Sequence, residues 1–450
     1  MSKDIKIKKG LNIRLKGEAS ETLSNAPRSR TYVIRPSEFH LITPKLNVKE
    51  GAKVQAGDVI FYSKTNEAIK FVSPVSGTLA TIERGAKRVI KELIIEADQQ
   101  DTYRDNGVVN VSSMNSDEIK NHLLATGCWA FVKQRPYDVI ANPDVKPKAI
   151  FISALTTAPI AANYDFTLTG KEKELQVAVT AFSKLTDGNV NVSVGKNSKN
   201  VFEGLNDIAV HTMSGVHPAG NVGTLINKVD PINKGEVVWT ITPQDLVIIG
   251  ELLLTGKFNA ERVIALSGSS VKNPKYYTTK IGAEVSTFIY DSGLNEENVR
   301  VINGHVLTGN KISPKGHLGY YSNTVTVIPE GDDYELFGWA KPVFDKKSIT
   351  RSLTFSWLNP NKEYTLDTNT NGEHRAFVLT GNYEQVFPLD ILPMHILKAC
   401  MVKDLDNMEQ LGMYEVAPED FALTEFVCVS KQPHQKIIRD GLDLMYKEIG

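Results

Sequence analysis

Residues 44–79 read PKLNVKEGAKVQAGDVIFYSKTNEAIKFVSPVSGTL, and this stretch constrains the fold more than any other. Short β-rich runs alternate with glycine turns, and its two halves mirror each other. Val48, Val54 and Val59-Ile60-Phe61 are answered by Ile69, Phe71-Val72 and Val75. Gly51 and Gly57 close one set of turns, and the step from Pro74 to Gly77 closes another. Glycine admits the positive φ a tight turn needs, and proline presets one. The pattern predicts a small β-sandwich built around a hairpin.

That stretch resembles the barrel-sandwich of lipoyl- and biotin-carrier domains. Such carriers hold a lysine at the hairpin tip, a few residues before a Ser-Pro-x-x-Gly step. Here the tip is Asn66-Glu67-Ala68, with Glu67 in the lysine's place and Lys64 and Lys70 out of register. A carboxylate cannot form the amide to lipoate or biotin. The expectation is a carrier-type scaffold without a carried group.

The chain has 450 residues, room for about three or four domains. Its formal net charge is −1, so no bulk field draws it to nucleic acid or anionic lipid. Cys128, Cys400 and Cys428 are odd in number and far apart. That argues against a disulfide framework, a structural zinc site or an iron–sulfur cluster held by this chain alone, and fits a reducing compartment. The opening MSKDIKIKKGLNIRLKG has charges but lacks the apolar core of a signal peptide. No run approaches the roughly 18 apolar residues of a membrane helix, so any membrane role is expected to come through partner subunits.

The coarse reading is a multidomain α/β and α+β protein. Residues 1–35 form an N-terminal ribbon, with Ile5 and Ile7 and then Leu11, Ile13 and Leu15 in period two, followed by a polar stretch from Gly17 to Arg30. The carrier-like sandwich fills 36–98, and 98–116 is a polar linker. Residues 117–255 alternate helices and strands, which indicates a Rossmann-like parallel sheet. Its first helix, 117–126, takes Ser116 as a candidate N-cap. Residues 256–335 are β-rich with one helix, as in a β-grasp (SLBB-like) domain. Residues 336–450 are mixed and end in helical periods.

Familiar enzyme signatures are absent. Gly250 and Gly256-Lys257 approach a Walker loop, but the spacing is one residue too long and Phe258 stands where Ser or Thr would ligate magnesium. A helix with a glycine C-cap accounts for them. No GxGxxG follows a strand, and neither HExxH nor GxSxG occurs. Two local clusters remain. One is AVHTMSGVHPAGNVGTL, with His211, His217 and Asn221 among Gly215, Gly220 and Gly223. It reads either as a loop whose open N–H groups hold a polar ligand edge or as a glycine-rich loop with two surface histidines. The other is Gly127-Cys128-Trp129-Ala130-Phe131 with Arg135. Trp129 and Phe131 either face a flat ligand, its polar edge held by Arg135, or are core residues.

Taken together, IKIKKGLNIRLKG, LLATGCWAFVKQRPYDVIANP, FISALTTAPIAANYD, HPAGNVGTLINKVDPI and ITPQDLVIIGELLLTGKF are similar to the A-subunit family of bacterial Na+-translocating NADH:quinone reductases. The resemblance spans essentially the whole chain. That family is similar in turn to the C subunit of the Rnf complex and to the FMN- and NADH-binding subunit of complex I. The resemblance implies a peripheral protein on the cytoplasmic face of the bacterial inner membrane, partnered chiefly by the membrane-embedded B subunit. The six-subunit complex oxidises NADH, reduces ubiquinone and exports Na+. It also implies that FMN and iron–sulfur centres reside elsewhere, because residues 126–136 replace most glycines of the flavin loop and only Cys400 and Cys428 remain in the helical region. No catalytic, metal or cofactor residue is expected here. Quinone-site candidates are Trp129, Phe131, Arg135, His211, His217 and Asn221. A purely structural docking role is the alternative.

Overall fold

The computed structural model describes residues 2–333, 335–338, 341, 344, 346–350, 352, 355–378 and 381–450. Among these residues lie four β-sheets. The hairpin stretch forms a sandwich. Thr31–Ile34, Ile90–Ala97, Gly77–Arg84 and Lys53–Val54 make one layer, and Pro44–Leu46, Val59–Ser63 and Lys70–Val72 the other. Phe61 and Phe71 stack with centroids 4.4 Å apart, and Phe39 leans on both. Gly51 and Gly57 take φ of 85° and 91°, the left-handed conformation their turns require. At the tip, Glu67 is exposed and its carboxylate pairs with Lys45 at 2.9 Å.

A seven-stranded sheet follows the order Asp4–Ile7, Ala209–Gly215, Val190–Gly195, Ile150–Ser153, Val238–Thr240, Lys133–Arg135, Val139–Ile140. The first five strands pair in parallel and the last two junctions are antiparallel. Ile150, Phe151, Ile152, Val190, Val192 and Val194 are all buried, as a sheet covered on both faces requires. The helices Glu172–Ser183 and Pro243–Thr255 cross where a methyl on Gly250 would overlap the Glu174 carbonyl, so glycine permits their close approach. Gly256 ends the second helix at φ 71°, an αL cap.

The sequence reading puts the N-cap of the first helix at Ser116. The structure puts it at Asn115, and the helix spans Ser116–Ala125. Asn115 Oδ1 accepts from the Glu118 N–H at 2.9 Å, and Glu118 Oε2 accepts from the Asn115 N–H at 2.8 Å. This reciprocal box satisfies two orphan donors at once.

A six-stranded sheet runs Asn310–Ile312, Val299–Asn303, Thr324–Pro329, Glu261–Ser267, Lys275–Lys280, Ser20–Asn25. Its helix, Ser286–Ser292, packs Phe288 and Ile289 against Ile264, Leu266, Val325 and Val327. The first 35 residues are divided among the sheets. Asp4–Ile7 edges the seven-stranded sheet, Ser20–Asn25 edges the six-stranded one, and Thr31–Ile34 joins the sandwich. Ile13 and Leu15 insert between them into a third core, with Leu397, Met413, Phe421 and Leu442 of the C-terminal helices. The expectation of a mixed region from 336 onward falls partly on residues outside the described set.

The polar stretch after the sandwich is strapped down. Asp101 accepts from Arg28 Nη2 and Nη1 at 2.8 and 3.0 Å, from Lys280 Nζ at 2.7 Å and from the Ser76 N–H at 2.9 Å. It thereby joins the N-terminal arm, the sandwich and the six-stranded sheet. Burial opposes ionisation of this carboxyl, and the Arg28 and Lys280 contacts outweigh it, taking it from 3.8 down to about 2. A depressed folded-state value contributes stability above the unfolded value, lost as pH falls through the folded one. Asp101→Asn therefore lowers the melting temperature near neutral pH. The gap between wild type and variant narrows as pH falls from about 5 towards about 2, read by thermal melts across that range.

Candidate functional site: a cleft at the carboxyl edge of the seven-stranded sheet

The parallel strands carry Ser153 and Thr240 to one edge of the sheet, and the loop after Ala209–Gly215 brings Gly220 and Asn221 to the same edge. A cavity of about 600 Å³ opens there. Such an edge is where open α/β sheets place ligands, since the connecting loops diverge from it. Loops of the six-stranded sheet and residues of the C-terminal helices close its other sides, among them Tyr320, Tyr321, Glu419 and Arg439.

One wall is aromatic. Phe131 stacks on Tyr320 at 5.1 Å with the rings 23° apart, and lies nearly parallel to Phe258 at 6.3 Å. Tyr321 donates to the Ala130 carbonyl at 2.6 Å, and the Lys133 ammonium sits 4.4 Å from the centre of its ring. Tyr164 accepts from Asn323 Nδ2 at 2.9 Å. Burial pushes the Tyr164 phenol up to about 12 and holds Tyr320 and Tyr321 well above the usual range. These rings stay neutral and apolar-faced across physiological pH.

Other lining residues are polar. Asn221 is the N-cap of the helix Val222–Val229, yet its side chain makes no capping bond and lines the cavity. Thr157 accepts from the Gly220 N–H at 2.8 Å and lies 3.0 Å from His217 Nδ1. Glu419 also lines the space; burial raises its carboxyl, Arg135 opposes the rise, and Asp420 and Asp138 add to it.

Three sequence candidates line this cavity and three do not. Phe131, Arg135 and Asn221 line it. Trp129 is fully buried behind the wall, donating from Nε1 to the Ala141 carbonyl at 2.7 Å and standing edge-on to Trp239 at 5.1 Å. His211 is buried in the sheet, where Nε2 meets Asn191 Oδ1 at 3.1 Å and Nδ1 accepts from the Lys3 N–H at 3.3 Å. Burial lowers its titration, as it does for His217, taken down to about 3. Both are therefore buried, neutral rings rather than surface histidines. His217 reaches the cavity through Thr157.

Arg135 is committed to protein partners. Its Nη1 donates to Asp420 Oδ2 at 2.7 Å and to the Glu415 carbonyl at 3.2 Å, and its Nη2 donates to Glu419 at 3.0 Å. Both members of the Arg135–Asp420 pair are nearly inaccessible, at 2% and 1% side-chain exposure. The pair lies against Gly223, where a Cβ would collide with both charged groups.

The sequence reading missed Lys133, Thr157, Tyr164, Tyr320, Tyr321 and Glu419. The available signal was the adjacent tyrosine pair in Gly319-Tyr320-Tyr321-Ser322, a loop directly before a strand. The loop of residues 126–136 offers little backbone to a flavin phosphate. Cys128, Trp129 and Ala130 are fully buried, and a Cβ on Gly127 would press on Val72. Among the described residues no group of three or more His, Cys, Asp or Glu side chains could hold a metal ion.

The fold defines a multidomain protein in which a barrel-sandwich hybrid precedes an α/β sheet with an aromatic and polar cleft at its carboxyl edge. Family models match at residues 5–98 (NqrA N-terminal barrel-sandwich hybrid domain), 114–258 (NqrA second alpha/beta domain) and 263–313 (NQRA C-terminal domain). A protein of Neisseria meningitidis serogroup A is 37% identical over 99% of this chain and 100% of its own length. Relatives from Marinomonas sp. and Yersinia pestis bv. Antiqua are each 34% identical, over 98% and 99% of this chain and 99% and 100% of theirs. All three bear the name of the A subunit of the Na(+)-translocating NADH-quinone reductase. The chain belongs to that family.

Removing one partner of a buried ion pair leaves the other charge stranded, at a cost of about 3–5 kcal/mol. Arg135→Ala is expected to destabilise the protein by about that much, and Gly223→Ala, which forces the pair apart, by about 1–3 kcal/mol. Urea unfolding followed by circular dichroism measures both.

Proposed function

We propose that this chain works as the peripheral A subunit of a complex that couples NADH oxidation and ubiquinone reduction to Na+ export, and that its cleft binds the quinone headgroup. It sits on the cytoplasmic face of the inner membrane, against the membrane-embedded B subunit. The seven-stranded region serves as a Rossmann-like domain and the six-stranded region as a β-grasp domain, a reading supported by the strand order and the single covering helix.

One observation carries the quinone reading: a cavity of about 600 Å³ is lined by aromatic and polar side chains together. A quinone ring is flat and apolar-faced, and its two carbonyl oxygens only accept hydrogen bonds. Phe131 and Tyr320 line the space from a packed aromatic cluster and give it an apolar side. The Lys133 ammonium and the Asn221 carboxamide supply donors for the oxygens, and the Thr157 hydroxyl is held in place by His217 and the Gly220 N–H. Arg135 acts at one remove, fixing Glu419 and Asp420 along the rim. The close packing of the loop at 126–136 supports a reading in which electrons reach the quinone from other subunits and this chain binds and orients it.

Titration of the full chain with a short-chain ubiquinone, followed by tryptophan fluorescence, tests this. Trp239 lies beside the cavity-lining Thr240, so saturable quenching is expected. Asn221→Ala and Lys133→Ala each weaken binding by about three- to tenfold, the loss of one donor. No saturable signal up to the solubility limit would sink the quinone reading and leave a purely structural docking role.

A further inference from the structure

Among the described residues, Tyr164, Tyr320 and Tyr321 bring phenols to the cleft. Two of the hydroxyls have partners in the chain: Tyr164 accepts from Asn323 Nδ2, and Tyr321 donates to the Ala130 carbonyl. The hydroxyl of Tyr320 has none among the described residues, although the residue is only 3% exposed. A buried hydroxyl without a partner carries its full desolvation penalty, and native folds rarely keep one. Phenylalanine would fill the same space without that cost.

The ring is held firmly all the same. The Tyr320 N–H donates to Glu38 Oε2 at 2.7 Å. The ring stacks on Phe131 and stands edge-on to Phe39 and Tyr321 at 4.7 and 5.1 Å. Packing therefore places the hydroxyl, with no hydrogen bond of its own.

An ion pair lies close by. Arg262 and Asp245 meet with both side chains 1% exposed or less. The Arg262 guanidinium sits 6.0 Å from the centre of the Phe131 ring, and its Nε and Nη1 also lack a partner among the described residues. Asp245 lines the cavity, where its Oδ2 accepts from the Thr242 hydroxyl at 2.7 Å. Both charges act on the Tyr320 phenol, which burial keeps protonated. This end of the cleft thus holds hydrogens for which the chain supplies no acceptor, and its complement is an acceptor oxygen. Asp245 decides the charge of that oxygen. A carboxylate lining the cavity repels an anion, and its pairing with Arg262 leaves this end near neutrality. A carbonyl oxygen fits, whereas a carboxylate or phosphate does not.

We propose that the Tyr320 hydroxyl is a ligand-binding group that donates to a carbonyl oxygen of the quinone, and that the Asp245–Arg262 pair selects a neutral oxygen there. The inference rests on the quinone reading above and adds a donor to Lys133 and Asn221. Each carbonyl oxygen has two lone pairs, so the three donors do not compete.

The test compares the full chain with its Tyr320→Phe variant, using a short-chain ubiquinone. The variant is expected to melt at the same temperature or higher, because it loses an unpartnered buried oxygen. It is expected to bind the quinone about three- to tenfold more weakly, the loss of one neutral hydrogen bond. In infrared difference spectra, a ring carbonyl stretch of the quinone bound to wild type lies below its position in aprotic solvent and moves back towards it in the variant. Equal affinity with an unmoved carbonyl band overturns the proposal, as it would for a hydroxyl that meets only water. A melting temperature lower by several degrees shows the hydroxyl already bonded within the chain and overturns it too. Competitive displacement of the quinone by benzoate at similar concentration overturns the selection of a neutral oxygen. Failure of wild type to bind the quinone at all sinks the quinone reading itself.

Discussion

A buried guanidinium–carboxylate pair holds the site in shape. Arg135 lies on the antiparallel margin of the seven-stranded sheet, and Asp420 lies 285 residues later in the short turn Pro418–Phe421 among the C-terminal helices. Their contact at 2.7 Å is sealed from water. Desolvating two charges is costly, and the arrangement survives because each charge has additional partners: the Glu415 carbonyl and Glu419 for Arg135, the Ala417 N–H for Asp420. Gly223 leaves room for the pair at the helix that begins beside Asn221. The cleft's C-terminal rim at Glu419 and the first turn of the helix beside Asn221 thus meet at this one interaction.

Asp101 does comparable work between the sandwich and the six-stranded sheet, and the N-terminal residues thread through three of the four sheets. The regions are thus interlocked rather than strung on linkers. A chain interlocked in this way presents a rigid cleft, because moving one wall requires breaking a buried ion pair or stripping an edge strand.

Two modules resemble ligand-handling devices, and each departs from them at the decisive residue. The sandwich hairpin carries Glu67 at its tip, paired with Lys45. The loop at 126–136 turns its side chains inward, and Trp129 joins Trp239 in the core. The same inward packing places Phe131 against Tyr320.

Local pattern determined much of this protein. Glycine and proline turns between β-branched runs specify the sandwich, because few other folds reverse so often over so short a length. Alternating strand and helix periods specify the α/β sheet, and the membership of the family follows from motifs along the whole chain. Tertiary structure alone decided the rest. Ser20–Asn25 falls in what reads only as a polar stretch, since an exposed edge strand buries too little to leave a periodic signal. Asp101 sits in what reads as a linker, because a carboxylate's partners are set by position in space and not by spacing. Trp129 and Arg135 are close in sequence to Phe131, yet one faces the core, one a buried carboxylate and one the cleft. Which side of a short 3-10 turn meets the cavity depends on residues more than a hundred positions away, Tyr320 and Asp420 among them, and no local pattern encodes that.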